Sequence, residues 1–125
     1  MQKNNFSNEQ LLEIFNALSS KLFVRVNRAG NIDVVNPNRK NHWEHFVLYF
    51  TPNNRYLWRR WFDRSYCYPL NMKNRKDLDH AKFEGSYSTY EYNYYNFAKH
   101  AEFNTVTEAL DYFKAYMKKY HNVNL

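Results

Sequence analysis

The chain has 125 residues, a net charge of +6 at neutral pH, and a composition that is 44% hydrophobic and 20% aromatic. This length predicts a single domain spanning residues 1–125, and the aromatic content is too high for an intrinsically disordered chain. No apolar run approaches a membrane-spanning length, and the N-terminus lacks the basic-then-apolar pattern of a secretory signal. A lone cysteine, Cys67, excludes an internal disulfide and fits a reducing compartment. We therefore expect a cytoplasmic protein without membrane contact.

A helix and a hairpin are the first predicted elements. Ser7 and Gln10 have the spacing of a capping box, and apolar residues at helical spacing predict a helix from about residue 8 to residue 20. Two short runs with alternating apolar residues follow at 22–28 and 32–35, and residues 29–31, with Gly30 at positive φ, are the predicted loop. An odd loop is required because it places the apolar residues of both strands on one face: Leu22, Val24, Val26, Ile32 and Val34.

Residues 44–62 carry the strongest strand signal, with two runs rich in aromatic and β-branched residues around the turn-forming sequence Thr-Pro-Asn-Asn at 51–54. A loop of two residues and a loop of four give the same parity of pairing, which predicts two faces of opposite character. The more apolar face suits a core and contains Phe46, Leu48, Phe50, Leu57, Arg59 and Trp61. The other face mixes large rings with basic side chains and contains His45, Val47, Tyr49, Tyr56, Trp58, Arg60 and Phe62.

The second half of the chain predicts a long connection, an edge strand and a helix. Residues 63–85 show weak periodicity with at most one short helix at 74–83, and the tyrosine-rich run 86–97 predicts a strand at a sheet edge, where a homodimer could pair. Thr105 and Glu108 have the spacing of a second capping box, and apolar residues at helical spacing predict a helix over 106–120. The predicted fold class is α+β, with an antiparallel β-sheet of about five strands and an N-terminal and a C-terminal helix packed on one face.

Such a fold leaves the second face of the central hairpin open to solvent or to a partner. Sheet faces that carry rings and arginines stack bases in RNA- and single-strand-binding domains. Residues 55–82 also hold eight Lys and Arg against three Asp, which indicates a polyanionic partner. The predicted nucleic-acid or partner-binding residues are Tyr49, Tyr56, Trp58, Arg60, Phe62, Arg64, Lys73, Arg75 and Lys76. Two alternatives stay open: the charges serve solubility alone, or residues 63–85 fold over this face.

No motif in the sequence specifies a reaction, a cofactor or a metal site. Two glycines make a phosphate-binding loop hardly possible, and His42 and His45 point to opposite faces of a strand. We expect a non-catalytic basic protein that engages RNA, DNA, a ribonucleoprotein or another acidic protein surface. One alternative is a small metal-independent ribonuclease that uses His45 beside Arg60 with Tyr49 or Tyr56. A protein–protein adaptor with no nucleic-acid contact is the other.

The amino-acid usage indicates an A/T-rich genome, because the chain contains 18 asparagines and 12 tyrosines, whose codons are A/T-rich. A small basic domain with this bias and no enzymatic motif resembles many accessory proteins of phages and mobile elements, including inhibitors of CRISPR-Cas and other host defences. That resemblance is one of genre and is carried by no family motif. It implies a bacterial or phage-infected host cell and a grip on guide RNA, target DNA or an acidic protein patch.

Overall fold

A computed structural model describes residues 4–39, 44–63, 92–96 and 102–125, with backbone alone for 62, 63 and 92–96. The elements are α1 (Asn8–Leu18), β1 (Phe23–Val26), β2 (Ile32–Val35), β3 (Glu44–Phe50), β4 (Tyr56–Asp63), β5 (Tyr92–Asn96), β6 (Glu102–Phe103) and α2 (Val106–His121). All strand pairs are antiparallel in the order β1-β2-β3-β4-β5, and β6 pairs with the first residues of β4. The predicted α+β fold is confirmed, whereas the short helix predicted at 74–83 lies outside the described residues.

Both helices begin at the predicted caps. The Ser7 hydroxyl accepts a hydrogen bond from the amide of Gln10 at 3.1 Å, and the Gln10 side chain accepts one from the amide of Ser7 at 2.9 Å. The Thr105 hydroxyl accepts from the amide three residues along at 3.1 Å. Asn122 ends α2 in the left-handed region with φ 54°, and its N–H donates to the carbonyl of Met117. The start of each helix and the end of α2 therefore have a chemical cause that is visible in the sequence.

One hydrophobic core lies between the two helices and one face of the sheet. Ile14 and Leu18 enter it from α1, and Leu110 and Phe113 enter it from α2. The sheet contributes alternate residues of its first four strands: Val24, Ile32, Val34, Phe46, Leu48 and Trp58. The first hairpin has the predicted odd parity, although its loop contains five residues, 27–31, with Gly30 at φ 83°. The predicted core face of that hairpin is confirmed.

The central hairpin has a different register from the predicted one. The amide of Thr51 donates to the carbonyl of Arg55 at 2.8 Å, and the amide of Asn54 donates back to the carbonyl of Thr51 at 3.0 Å. Asn54 has φ 59°, a conformation that asparagine tolerates better than most residues. The result is a three-residue turn, 52–54, closed by a residue in the left-handed region. An odd loop reverses the pairing parity, so the prediction of a two- or four-residue loop is wrong.

The reversed parity exchanges the two faces of β4. Trp58 pairs with Leu48 on the helix side and has no exposed surface. Its ring stacks on Phe113 with 4.2 Å between centroids, and its Nε1–H donates to the carbonyl oxygen of Ala109 at 2.8 Å. Trp58 is thus a core residue, and its prediction as an exposed binding residue is wrong. The predicted core positions of Arg59 and Trp61 are wrong for the same reason.

The second face of the sheet is closed at its centre. His45, Val47, Asp33 and Val35 lie on this face, and each is at most 2% exposed, although both helices pack on the other side. The burial of His45 and Val47 contradicts the expectation that this face of the central hairpin is open. The alternative that residues 63–85 cover the face stays a prediction, because all of that segment except Asp63 lies outside the described residues.

Asp33 is a buried carboxylate on this second face. Asn27 donates to its Oδ1 at 3.0 Å, and Nε of Arg25 lies 4.0 Å from its Oδ2. Burial raises the pKa of Asp33 to about 7. This effect outweighs the Asn27 hydrogen bond and the Arg25 charge, which both lower the pKa. The folded pKa lies above the ordinary 3.8, so protonated Asp33 favours the folded state. Its contribution to stability is therefore complete below pH 3.8 and is lost as the pH rises through about 7.

The Asp33→Asn variant should gain stability relative to the parent as the pH rises, because an amide stays neutral and still accepts from Asn27. The measurement is the Tm of both proteins at pH 5 and pH 8, where the difference, variant minus parent, should be larger at pH 8. Asp111→Asn, at an exposed position on α2, is the control and should show no such change. A difference that is equal at both pH values would contradict the assignment of a buried, largely protonated Asp33.

Candidate functional site

A cleft of about 510 Å³ opens where the end of α2 meets the start of β3 and the connection that follows β2. Pockets of roughly 300–1,000 Å³ are the usual size for small ligands. The residues that line it are Asn36, Asn38, Arg39, Glu44, Arg60, Lys119, Tyr120, His121 and Asn122. We call this site the basic cleft.

An ion pair joins the two strands inside the basic cleft. Arg60 donates through Nε at 2.8 Å and through Nη2 to the same oxygen, Oε2 of Glu44. The Glu44 side chain is 5% exposed and that of Arg60 is 31% exposed. Arg60 pairs with Phe46, which places Glu44 diagonally across the two strands on the same face, within reach of long side chains. The pair therefore exists only because the hairpin has odd parity.

His121 brings an imidazole to the ion pair from the end of α2. Its ring centroid lies 5.9 Å from that of Phe46 and 5.6 Å from that of Tyr116. Its Nε2 is buried and has no hydrogen-bond partner in the part of the chain that the structure describes. Burial lowers the pKa of His121, and the Arg60 charge lowers it further, against the opposing effect of Glu44. The imidazole is therefore mostly neutral at pH 7.

Cations outnumber anions along the walls of the basic cleft. Arg39 is 4% exposed and donates from Nη1 to the carbonyl of Asn36 at 3.3 Å, whereas Lys119 is exposed on the last turn of α2. The described lining residues include three cations, Arg39, Arg60 and Lys119, and one carboxylate, that of Glu44. Their net charge is therefore +2 while His121 is neutral. Tyr120 exposes 62% of its surface beside them. Lys119 also complements the dipole of α2, so its charge has a structural role as well.

The predicted binding residues of β4 do not share a face with Tyr49. Arg60 lines the basic cleft, and Tyr56 lies on the helix side, where its hydroxyl accepts from Gln10 Nε2 at 2.7 Å. The shared platform of Tyr56, Trp58 and Arg60 with Tyr49 is therefore wrong, because these three residues of β4 occupy the opposite face. For Phe62 the described backbone shows only that it pairs with Glu44. The remaining predicted residues lie outside the described part of the chain: Arg64, Lys73, Arg75 and Lys76.

Tyr49 instead has aromatic and basic neighbours that the sequence assigned to the core. Trp61 Nε1 donates to the Tyr49 hydroxyl at 2.9 Å, and the Arg59 guanidinium carbon lies 5.5 Å from the centre of the Tyr49 ring. The buried ring of His45 stacks on Trp61 with 6.4 Å between centroids. His45 and Arg60 therefore lie on opposite faces, and the ribonuclease alternative in the form that pairs them is wrong.

Of the nine described residues that line the basic cleft, sequence reasoning predicted Arg60 as a site residue and missed the other eight. Glu44 and Arg39 carried no local signal, and Lys119 and His121 belong to a helix end whose cations the dipole explains. The register of the central hairpin is the signal that could have paired Glu44 with Arg60. Nothing in the spacing of the sequence brings His121 to a strand more than fifty residues earlier.

Comparisons of the chain with protein-family models, with curated proteins and with solved structures find no match. Within the described ranges, no helix is both long and apolar enough to cross a bilayer. The same residues contain no group of three or more His, Cys, Asp or Glu side chains that could hold a metal ion. The functional interpretation therefore rests on the geometry and charge of the basic cleft.

Arg60→Ala should destabilise the fold by about 1–3 kcal/mol, because it leaves the buried Glu44 carboxylate without its donor. The double variant Glu44→Gln/Arg60→Ala should be more stable than Arg60→Ala alone, since an amide is easier to bury than an unpaired charge. Urea unfolding measures both. Arg55→Ala, which removes an exposed pair with Glu102 at 3.9 Å, is the control and should cost less than about 1 kcal/mol. Equal stabilities for the single and double variants would contradict this role of the ion pair.

Proposed function

We propose that this protein is a small, non-catalytic basic binding protein that engages nucleic acid or a nucleic-acid-handling complex through the basic cleft. The observation that carries the proposal is the convergence of three cations and an exposed tyrosine ring around one already paired carboxylate. The net charge of +6 attracts a polyanion from a distance. The basic cleft then offers directed donors for phosphate oxygens and a ring for a base.

The chemistry of the lining residues suits phosphate and base contacts. Guanidinium groups such as those of Arg39 and Arg60 bind phosphate through parallel N–H donors, and Lys119 supplies a point charge at the rim. Stacking of a base on an aromatic ring such as that of Tyr120 is worth roughly 1–3 kcal/mol. The amides of Asn36, Asn38 and Asn122 can hydrogen-bond base edges. Each part of a nucleotide thus has a matching group.

An adaptor without nucleic-acid contact fits the described surface less well. Protein–protein contacts are centred on clustered aromatic and arginine anchors in a patch that is otherwise depleted of charge. Among the described residues, the exposed large hydrophobic side chains are Leu12 on α1 and Tyr120 on α2. Tyr120 belongs to the basic cleft, where its neighbours are charged or polar.

The side chains of the basic cleft do not favour catalysis. Oε2 of Glu44 already accepts two hydrogen bonds from Arg60 and is a poor general base in that state.

The proposed partner is RNA or DNA, free or held in a ribonucleoprotein, in the cytoplasm of a bacterial or phage-infected cell. An inhibitor of a host defence such as CRISPR-Cas is the specific role that this partner class and the resemblance of genre support. Such an inhibitor would hold guide RNA or target DNA by its phosphates.

Lys119→Glu should weaken the binding of a labelled single-stranded oligonucleotide about tenfold more than Lys118→Glu does. The two lysines are neighbours on the last turn of α2 and make the same contribution to net charge, but only Lys119 lines the basic cleft. Fluorescence anisotropy at two salt concentrations measures the affinity, whose logarithm should fall by roughly 0.7 per neutralised phosphate for each tenfold rise in salt.

Equal weakening by both substitutions would show that net charge alone matters and that the basic cleft is not the contact. No binding of the parent at low salt would contradict the nucleic-acid proposal. Intact RNA after prolonged incubation with the parent is the result expected of a non-catalytic protein, and cleavage that is lost in His121→Ala would overturn that part of the proposal.

A further inference from the structure

We propose that the basic cleft selects the terminal phosphate of a single-stranded nucleic acid, a dianionic phosphomonoester, over internal phosphodiesters and over a duplex. This inference rests on the proposed function and narrows its ligand class. Three features of the cleft carry it: its size, its net charge, and the unpartnered Nε2 of His121.

The size of the basic cleft fits one nucleotide at a strand end. Its volume of about 510 Å³ lies in the range of small-ligand pockets, and the groups that line it belong to four separate segments of the chain. These segments are the residues after β2, Glu44 at the start of β3, Arg60 in β4, and the end of α2. The end of a single-stranded nucleic acid can enter such a cleft through one opening. A base in a duplex would first have to unpair and unstack.

The charge of the basic cleft matches a dianion. The described lining residues carry a net charge of +2 with His121 neutral. A phosphodiester carries one negative charge, whereas a phosphomonoester with a second pKa near 6 approaches two at neutral pH. A terminal phosphate therefore neutralises the described side chains, and an internal phosphate leaves an excess of one positive charge.

The third unesterified oxygen of a terminal phosphate has a candidate partner in His121. A phosphodiester has two such oxygens, which the guanidinium and ammonium donors of Arg39, Arg60 and Lys119 suffice to bind. The buried Nε2 of His121 has no partner among the described residues, and His121 is one of the residues that line the basic cleft. When Nε2 carries a proton it donates to the additional oxygen, and that hydrogen bond is available only to a terminal phosphate.

The test compares internally labelled oligonucleotides of one sequence that carry a 5′-phosphate, a 3′-phosphate or hydroxyl groups at both ends, together with a blunt duplex. One of the phosphorylated strands should bind about tenfold more tightly than the hydroxyl strand, the gain of one charge-assisted contact. Inorganic phosphate should abolish the difference by competition. The preference should disappear in His121→Gln and Lys119→Gln and remain in Lys118→Gln, with circular dichroism to verify folding.

Equal binding of all three single strands would overturn this inference and leave the proposed function intact. No binding of any strand would overturn both. A preference for a phosphorylated end that survives in His121→Gln and in Lys119→Gln would show that the end is recognised elsewhere, and binding of the duplex as tight as that of the phosphorylated strand would contradict the size argument. The 5′ and 3′ arms identify which end enters.

Discussion

The left-handed backbone of Asn54 fixes which side chains of β4 face the helices. It closes a three-residue turn, and an odd turn sets the parity of the whole central hairpin. With that parity, Trp58 enters the core and Arg60 reaches Glu44, although the two residues perform unrelated tasks. An even turn would place both on the other face. The hydrophobic core and the basic cleft therefore share a single local cause.

The helix α2 connects these two consequences. In the N-terminal half of α2, Phe113 stacks on the Trp58 indole, and the carbonyl of Ala109 accepts a hydrogen bond from it. These two contacts fix the position of the helix on the sheet. Because a helix is stiff over a few turns, that anchor also determines where its last turn lies. His121 and its neighbours are thereby placed beside the Glu44–Arg60 pair. A change in the core around Trp58 should consequently be felt in the basic cleft.

Local signals predicted the helices and the first hairpin, because caps and periodicity are properties of neighbouring residues. In that hairpin, burial also settled the parity, since Val24 and Val34 could share a face only across an odd loop. The central hairpin has large side chains on both faces, so burial did not discriminate between the registers. Even loops and the observed three-residue turn both suit its Pro-Asn-Asn sequence, and a difference of one residue in the loop reverses which side chains of β4 face the core. The basic cleft could not be predicted because it joins residues 36–39, 44, 60 and 119–122, which meet only through the tertiary fold.

Nuclear Overhauser contacts of the Trp58 indole test the register most directly, with the three tryptophans assigned by single Trp→Phe variants. The structure predicts contacts from the Trp58 ring to Phe113, contacts from its indole N–H to the turn of α2 at Ala109, and slow exchange of that proton with solvent. Contacts of Trp61 with Phe113, together with rapid solvent exchange of the Trp58 indole proton, would show that β4 presents its other face to the helices and would contradict the account.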